Sequence, residues 1–182
     1  MTSRERLGVF GGTFDPPHIG HFSAVVNALQ ALSLDRVLVV VSNSPWQKIG
    51  TRFVSAAEDR FAMVVAAAVG HPGLHPSRIE IDRGGESNTV ETLAALHDER
   101  PGRDLFLIVG ADVAAGLSSW RRHEELPRLA DLVIVSRPGA GVVALPWPAR
   151  VHHVEAPALA ISSSDLRRRV RAGERVDYLV PD

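Results

Sequence analysis

Apolar residues in this chain follow two alternating patterns: short β-branched runs, and longer stretches in which they recur at every third or fourth position. Arg6 to Gly11 reads as a strand, and after it Phe22, Val25, Val26, Leu29 and Leu32 mark the buried face of a helix beginning near His21. Arg36 to Ser42 is a continuous apolar run, as expected of a parallel strand buried on both faces. Ser55 to Val69 predicts a helix, with Ser55 as N-cap and Glu58 completing a capping box. Arg78 to Asp82 predicts a strand, Thr89 to Glu99 a helix, and Asp104 to Val109, Asp131 to Ser136 and Val151 to Val154 three further strands. Pro138 to Pro148 breaks the pattern with glycines and prolines and reads as a loop. A last helix is expected from about Asp165 to Ala172, capped by the preceding serines and ended by Gly173. Strands alternating with helices predict an α/β fold: a Rossmann-like, doubly wound parallel sheet with helices on both faces and a small C-terminal helical extension.

Length and composition narrow this picture without redirecting it. The 182 residues suit one domain spanning 1–182, with 161–182 as the extension. A hydrophobic content of 45% and a charged content of 23% are ordinary globular values. Net charge is −1, so no global basic field recruits nucleic acid or an anionic membrane, although Arg167, Arg168, Arg169, Arg171 and Arg175 make the C-terminal segment locally basic. The absence of cysteine excludes disulfide and thiolate chemistry and fits a reducing cytosol. The longest apolar run, Phe61 to Val69, falls far short of the ~20 residues of a spanning helix, and the first residues carry no signal-type stretch. A cytoplasmic protein is expected, and a homo-oligomer is compatible with the sequence.

The junction between the first strand and helix carries the most chemistry. Gly11-Gly12-Thr13-Phe14-Asp15-Pro16-Pro17-His18-Ile19-Gly20-His21 places two glycines and two histidines at a helix N-terminus, where backbone N–H groups lack intrahelical partners and the dipole favours an anion. His18 and His21, three apart, are expected on one face of the first turn, able to grip one polyphosphate, donating to a phosphoryl oxygen while neutral and adding attraction when protonated. A zinc half-site or a helix cap would use the same pair, but zinc needs further ligands from the remaining histidines or carboxylates. Gly110-Ala111-Asp112 follows a predicted buried strand, so Asp112 falls on the same sheet edge, facing a ribose or capping the next helix. Ile161-Ser162-Ser163-Ser164-Asp165-Leu166-Arg167 forms a second helix start, where hydroxyls, amides and a guanidinium offer another anion cradle. Taken alone, such a basic helix is more often a solvated surface.

These motifs resemble those of the bacterial nicotinate-nucleotide adenylyltransferases, in the nucleotidyltransferase superfamily marked by [HT]-x-G-H. His18-Ile19-Gly20-His21 is that motif, preceded by the family's Gly-Gly-Thr-Phe-Asp-Pro lead. Ile161 to Arg167 matches its second signature, Ile-Ser-Ser-[ST]-x-[IL]-Arg, and Ser87-Asn88-Thr89-Val90-Glu91-Thr92-Leu93 resembles its Tyr-Thr-x-x-Thr-Leu segment. The resemblance implies adenylyl transfer from ATP to nicotinate mononucleotide with release of pyrophosphate, in NAD synthesis. It implies ATP contacts at Gly11, Gly12, Thr13, Phe14, His18, His21, Gly110, Asp112, Arg137, Ile161, Ser162, Ser163, Ser164 and Arg167. Among these, His18, His21 and Arg167 would be catalytic, with Mg²⁺ bound through ATP phosphates. For the acceptor it implies Trp46, Lys48, Asn88, Thr89, Trp120 and Arg121, with the Trp120 indole stacked on the pyridine ring and main-chain N–H groups near Thr89 and Arg121 on its carboxylate. Trp120 packing under a loop is the plain alternative. Gln47 stands before Lys48 where the family commonly has histidine.

Rival readings differ in the acceptor or in the chemistry. A nicotinamide-mononucleotide preference turns on one carboxylate-to-amide contact, whereas phosphopantetheine adenylyltransferases typically carry threonine at the position of His18. A non-catalytic nucleotide-binding module would share the fold but have degenerate phosphate motifs. A dinucleotide-dependent oxidoreductase is disfavoured, since the first loop is neither Gly-x-Gly-x-x-Gly nor a P-loop.

Overall fold

A computed structural model describes residues 4–45, 53–139, 145 and 150–181. Its centre is a six-stranded, all-parallel sheet of β1 (Arg6–Gly12), β2 (Arg36–Val41), β3 (Leu74–Ser77), β4 (Asp104–Gly110), β5 (Asp131–Ser136) and β6 (Val151–Glu155). The strand order is β3-β2-β1-β4-β5-β6, the expected doubly wound arrangement. The chain steps outward from β1 to β3, then crosses back to β4 and steps outward the other way. The order therefore reverses between β1 and β4, and a crevice opens at their carboxyl ends.

Alternation along the strands feeds two cores. Phe10, Val37, Val39, Phe106, Ile108 and Val133 face α1 (Ile19–Ala31) and α2 (Ala57–Ala68), which contribute Phe22, Val25, Ala28, Val64 and Ala67. On the opposite side Leu7, Val9, Leu105, Leu107, Leu132 and Ile134 pack with Val90, Leu93 and Leu96 of α4 (Thr89–Glu99). Central strands buried on both faces explain why these runs read so plainly as strands. Three shorter helices, α3 (Ile79–Arg83), α5 (Ala111–Ala114) and α6 (Leu126–Leu129), fill the connections, and α7 (Ser163–Arg171) closes the fold near the first loop. Among the described residues no helix is long and apolar enough to cross a membrane.

Two local expectations fail for physical reasons. The third strand lies at Leu74–Ser77, and residues 79–83 are helical, with the Asp82 N–H donating to the Arg78 carbonyl at 2.8 Å. Ile79 and Ile81 alternate as a strand would, while Pro76 disguises the real strand. That proline is tolerated because β3 lies at the sheet edge. Ser55 does not cap α2: Ala56 is the N-cap and no side chain caps it. Glu58 and Asp59 instead favour the helix through its dipole, and the Ser55 carbonyl accepts from Arg60.

Candidate active site

The two motifs, far apart in sequence, are laced together around the crevice. Ser163 Oγ donates to the Pro16 carbonyl at 2.8 Å, and Arg167 donates to the Asp15 carbonyl at 2.6 Å and to Ser164 Oγ at 3.1 Å. Ser162 Oγ accepts the Asp165 N–H and caps α7. The second motif thus braces the first loop from outside. Its serines and Arg167 do not line the cavity, whereas neighbouring Ile161 does.

That cavity, about 490 Å³, lies at the β1–β4 switch point and falls in the range of small-ligand sites. Gly11, Gly12, Thr13, His18 and His21 line one part of it, with Gly110 and Asp112 from the end of β4. Asn88, Thr89, Trp120 and Arg121 line the other part, so the structure gathers both predicted groups around one space. Arg137 is exposed just beyond β5 and does not line the cavity. Trp46 and Lys48 lie outside the described residues.

The two histidines are arranged more tightly than a shared helical face requires. His18 is extended, with φ −148°, and is the N-cap, while His21 sits three residues into the helix. Their rings stack, with centroids 3.6 Å apart. The His18 N–H donates to His21 Nδ1 at 3.1 Å, which leaves the proton of the neutral His21 ring on Nε2. His18 Nδ1 is buried with no hydrogen-bond partner among the described residues, and burial pushes the imidazole down to about 4. His18 is therefore neutral at physiological pH, which leaves it the neutral of the two expected modes, hydrogen bonding without added charge. A neutral, poorly solvated imidazole remains a strong hydrogen-bonding group for charge that develops beside it.

The glycines make room for these rings. A Cβ on Gly20 would lie 3.0 Å from His18 Nδ1, and one on Gly12 would lie 2.7 Å from the Phe14 ring. Phe14 was expected at the nucleotide, but its side chain is 2% exposed and does not line the cavity. It meets His21 edge-on at 5.1 Å, from a backbone with φ +50° that few side chains adopt. Its contribution is to hold His21. The helix N-terminus is also less open than expected, because the Ile19 N–H donates to the Leu179 carbonyl at 3.1 Å and the His21 N–H to the His18 carbonyl at 2.9 Å.

On the acceptor side, Asn88 is occupied in structure. Its Oδ1 accepts the Val90 N–H at 3.0 Å, capping α4, and its Nδ2 donates to Glu91 at 3.2 Å. Thr89 is the first helical residue, so its amide belongs to the turn that faces the cavity. Trp120 is half-buried, packs on the lower core and still lines the cavity, so packing and ligand contact coexist in it. The Arg121 guanidinium pairs with Glu86 at 3.0 Å, an exposed pair of small energetic weight.

Three residues of this region escaped the sequence reading. Glu80 is a buried carboxylate on the cavity wall that accepts from Thr92 Oγ1 at 2.7 Å. Ser87 Oγ is buried there without a hydrogen-bond partner among the described residues. Arg60 is fully buried beneath the first loop. Glu80 and Arg60 act through backbone or distant partners, which residue spacing does not reveal. A charged residue on the apolar face of α2 was the available signal for Arg60.

Fold, crevice and laced motifs define an α/β nucleotide-binding protein of the transferring kind, and the chain belongs to the cytidylyltransferase-like family, matched over residues 9–169. It is similar to a protein of Leifsonia xyli subsp. xyli named probable nicotinate-nucleotide adenylyltransferase, at 48% identity covering 99% of this chain and 89% of that protein. A Streptomyces coelicolor protein of the same name is 50% identical, covering 94% and 92%. Among solved structures, Plasmodium falciparum nicotinic acid mononucleotide adenylyltransferase complexed with NaAD shares the fold, with a TM-score of 0.77 at 16% identity over 96% of this chain and 88% of that one.

Proposed function

We propose that this protein transfers the adenylyl group of ATP to nicotinate mononucleotide, forming nicotinate adenine dinucleotide and releasing pyrophosphate, a step of NAD synthesis. The observation that carries this reading is the single cavity wall shared by His18, His21 and Asp112 on one side and Thr89, Trp120 and Arg121 on the other. Relatives at 48% and 50% identity bear that activity in their names, which supports it.

The chemistry asks little of the protein beyond placement. A phosphate oxygen of the mononucleotide is already anionic and attacks the α-phosphorus of ATP. A P–O bond forms to it as the bond from the α-phosphorus to the bridging oxygen breaks, and pyrophosphate leaves with that electron pair. No general base or covalent nucleophile is required. His18 and the Nε2–H of His21 act as hydrogen-bonding partners of the phosphates, and Arg167 adds positive charge while holding the loop through Asp15. Asp112 accepts from the ribose, and the Trp120 indole stacks on the pyridine ring.

Among the described residues no group of three or more histidines or carboxylates is arranged to hold a metal. Mg²⁺ would instead be held by the phosphate oxygens of ATP and by water, and would supply neutralisation of charge on the departing pyrophosphate. The test is pyrophosphate release from ATP and Mg²⁺ with nicotinate mononucleotide, nicotinamide mononucleotide and phosphopantetheine as separate acceptors. Turnover is expected to be fastest with the first. Equal or faster turnover with either of the others would reassign the acceptor.

A further inference from the structure

Arg60 is 1% exposed, an unusual place for a guanidinium, and it reaches four backbone carbonyls from separate parts of the chain. Nε donates to Ser55 at 2.9 Å, one terminal nitrogen donates to Thr13 at 2.8 Å and Ser42 at 2.7 Å, and the other donates to Asn43 at 2.9 Å. Thr13 belongs to the loop that carries His18 and His21. Ser42 and Asn43 are the residues by which the chain leaves β2.

The line of contacts continues to the acceptor side. Asn43 Nδ2 donates to the Gly85 carbonyl at 2.8 Å, and the Ser87 N–H donates to the Ser44 carbonyl at 3.0 Å. Asn88 and Thr89, the cap and first residue of α4, follow directly. An unbroken chain of hydrogen bonds and short backbone links therefore runs from the phosphate loop, through one guanidinium, to the turn beside the acceptor.

We propose that Arg60 is a positioning residue that sets the spacing between the nucleotide half and the acceptor half of the cavity. This inference rests on the adenylyl transfer proposed above. Burying a guanidinium is costly, and an apolar side chain would fill the α2–β2 interface with less penalty. What the four carbonyls require is four donors spread over a planar fork, which lysine, with three donors on a single nitrogen, does not reproduce. In-line attack needs the reacting atoms held about 3–3.5 Å apart. An error in the spacing of the two halves consequently lowers kcat more than it weakens either nucleotide bound alone.

The experiment compares the parent with Arg60→Lys and Asn43→Ala. Folding is checked by thermal denaturation, kcat and KM are measured for both substrates, and ATP affinity without acceptor is measured by calorimetry. Arg60→Lys is expected to lower kcat about tenfold or more, and Asn43→Ala to lower it less, while the Kd for ATP alone stays within about threefold. A residue that merely supports the fold would shift Tm and leave kcat per folded molecule within about twofold, which would overturn the proposal. Weakening of ATP binding by as much as kcat falls would overturn it too. If Arg60→Lys does not fold, Asn43→Ala decides by the same readouts, its side chain lying in an exposed contact. A parent that releases pyrophosphate with none of the three acceptors overturns the proposed function and this role with it, whereas an active parent with unaltered variants overturns the role alone.

Discussion

The two edges of the sheet place their polar groups in different surroundings. At the amino edge charges are matched: Glu5 meets Arg36 at 2.8 Å, Arg100 at 3.0 Å and Arg103 at 3.5 Å, and Asp131 meets His152 at 3.1 Å. At the carboxyl edge a stacked pair of imidazoles and the Ser87 hydroxyl line a cavity, and His18 Nδ1 and Ser87 Oγ lack hydrogen-bond partners among the described residues. Arg36 Nε and Arg103 Nε at the amino edge also lack hydrogen-bond partners among the described residues, but both guanidinium groups are paired with Glu5. The unpartnered atoms of the carboxyl edge belong instead to residues that line a cavity open to a ligand. A buried polar atom without a partner is costly, and on the cavity wall a ligand can supply the missing bond.

Replacing either imidazole gives the largest test of this contrast. His18→Ala or His21→Ala is expected to lower kcat by about a hundredfold or more while the thermal transition stays near the parent's. Parent-like turnover would remove the histidines from the transition state.

Acid should distinguish the edges next. Burial holds His18 down near 4, so between about 6.5 and 4 the unfolded chain takes up a proton that the folded site refuses. His18 is then a liability that grows as pH falls through this window, reaching about 3 kcal/mol at its lower end, and it vanishes above the unfolded value. Urea titrations at pH 7 and pH 5 should show this loss in the parent and a smaller one in His18→Asn. An identical loss in both would assign acid sensitivity to other groups.

Glu5→Ala reverses the pattern expected of the histidines. It leaves Arg103, whose side chain is 4% exposed, without its inner carboxylate and should cost about 2 kcal/mol of stability, with kcat per folded molecule unchanged. A fall in kcat would mean that the amino edge is coupled to the cavity. The smallest effect belongs to Trp120→Ala, expected to raise KM for the pyridine nucleotide about tenfold with little change for ATP. Equal weakening of ATP would dissolve the division of the cavity into halves.

The same division explains what was legible beforehand. β1, β2, β4 and β5 announce themselves because central parallel strands are apolar on both faces, and the helix starts at His18 and Ser162 carry recognisable motifs. β3 was misplaced because a four-residue edge strand containing Pro76 has almost no pattern to read, and the alternation of Ile79 and Ile81 imitated one beside it. Phe14 and Asn88 were drawn to the ligand by their position in motifs. Their contacts show the support that motifs also contain: a ring set against His21 and an amide capping α4. Arg60 went unread since its partners are carbonyls as far as 47 residues away, and carbonyls leave no mark on a sequence.

The brace between the motifs also fixes an order of events during synthesis. Its hydrogen bonds join residues 147 and 152 positions apart, so neither forms until α7 has emerged. A truncated or nascent chain ending before α7 has the glycines, the histidines and most of the sheet, but its loop is unsecured. Emergence of α7 is thus built into the competence of the site, and fragments that lack it are expected to bind nucleotide weakly.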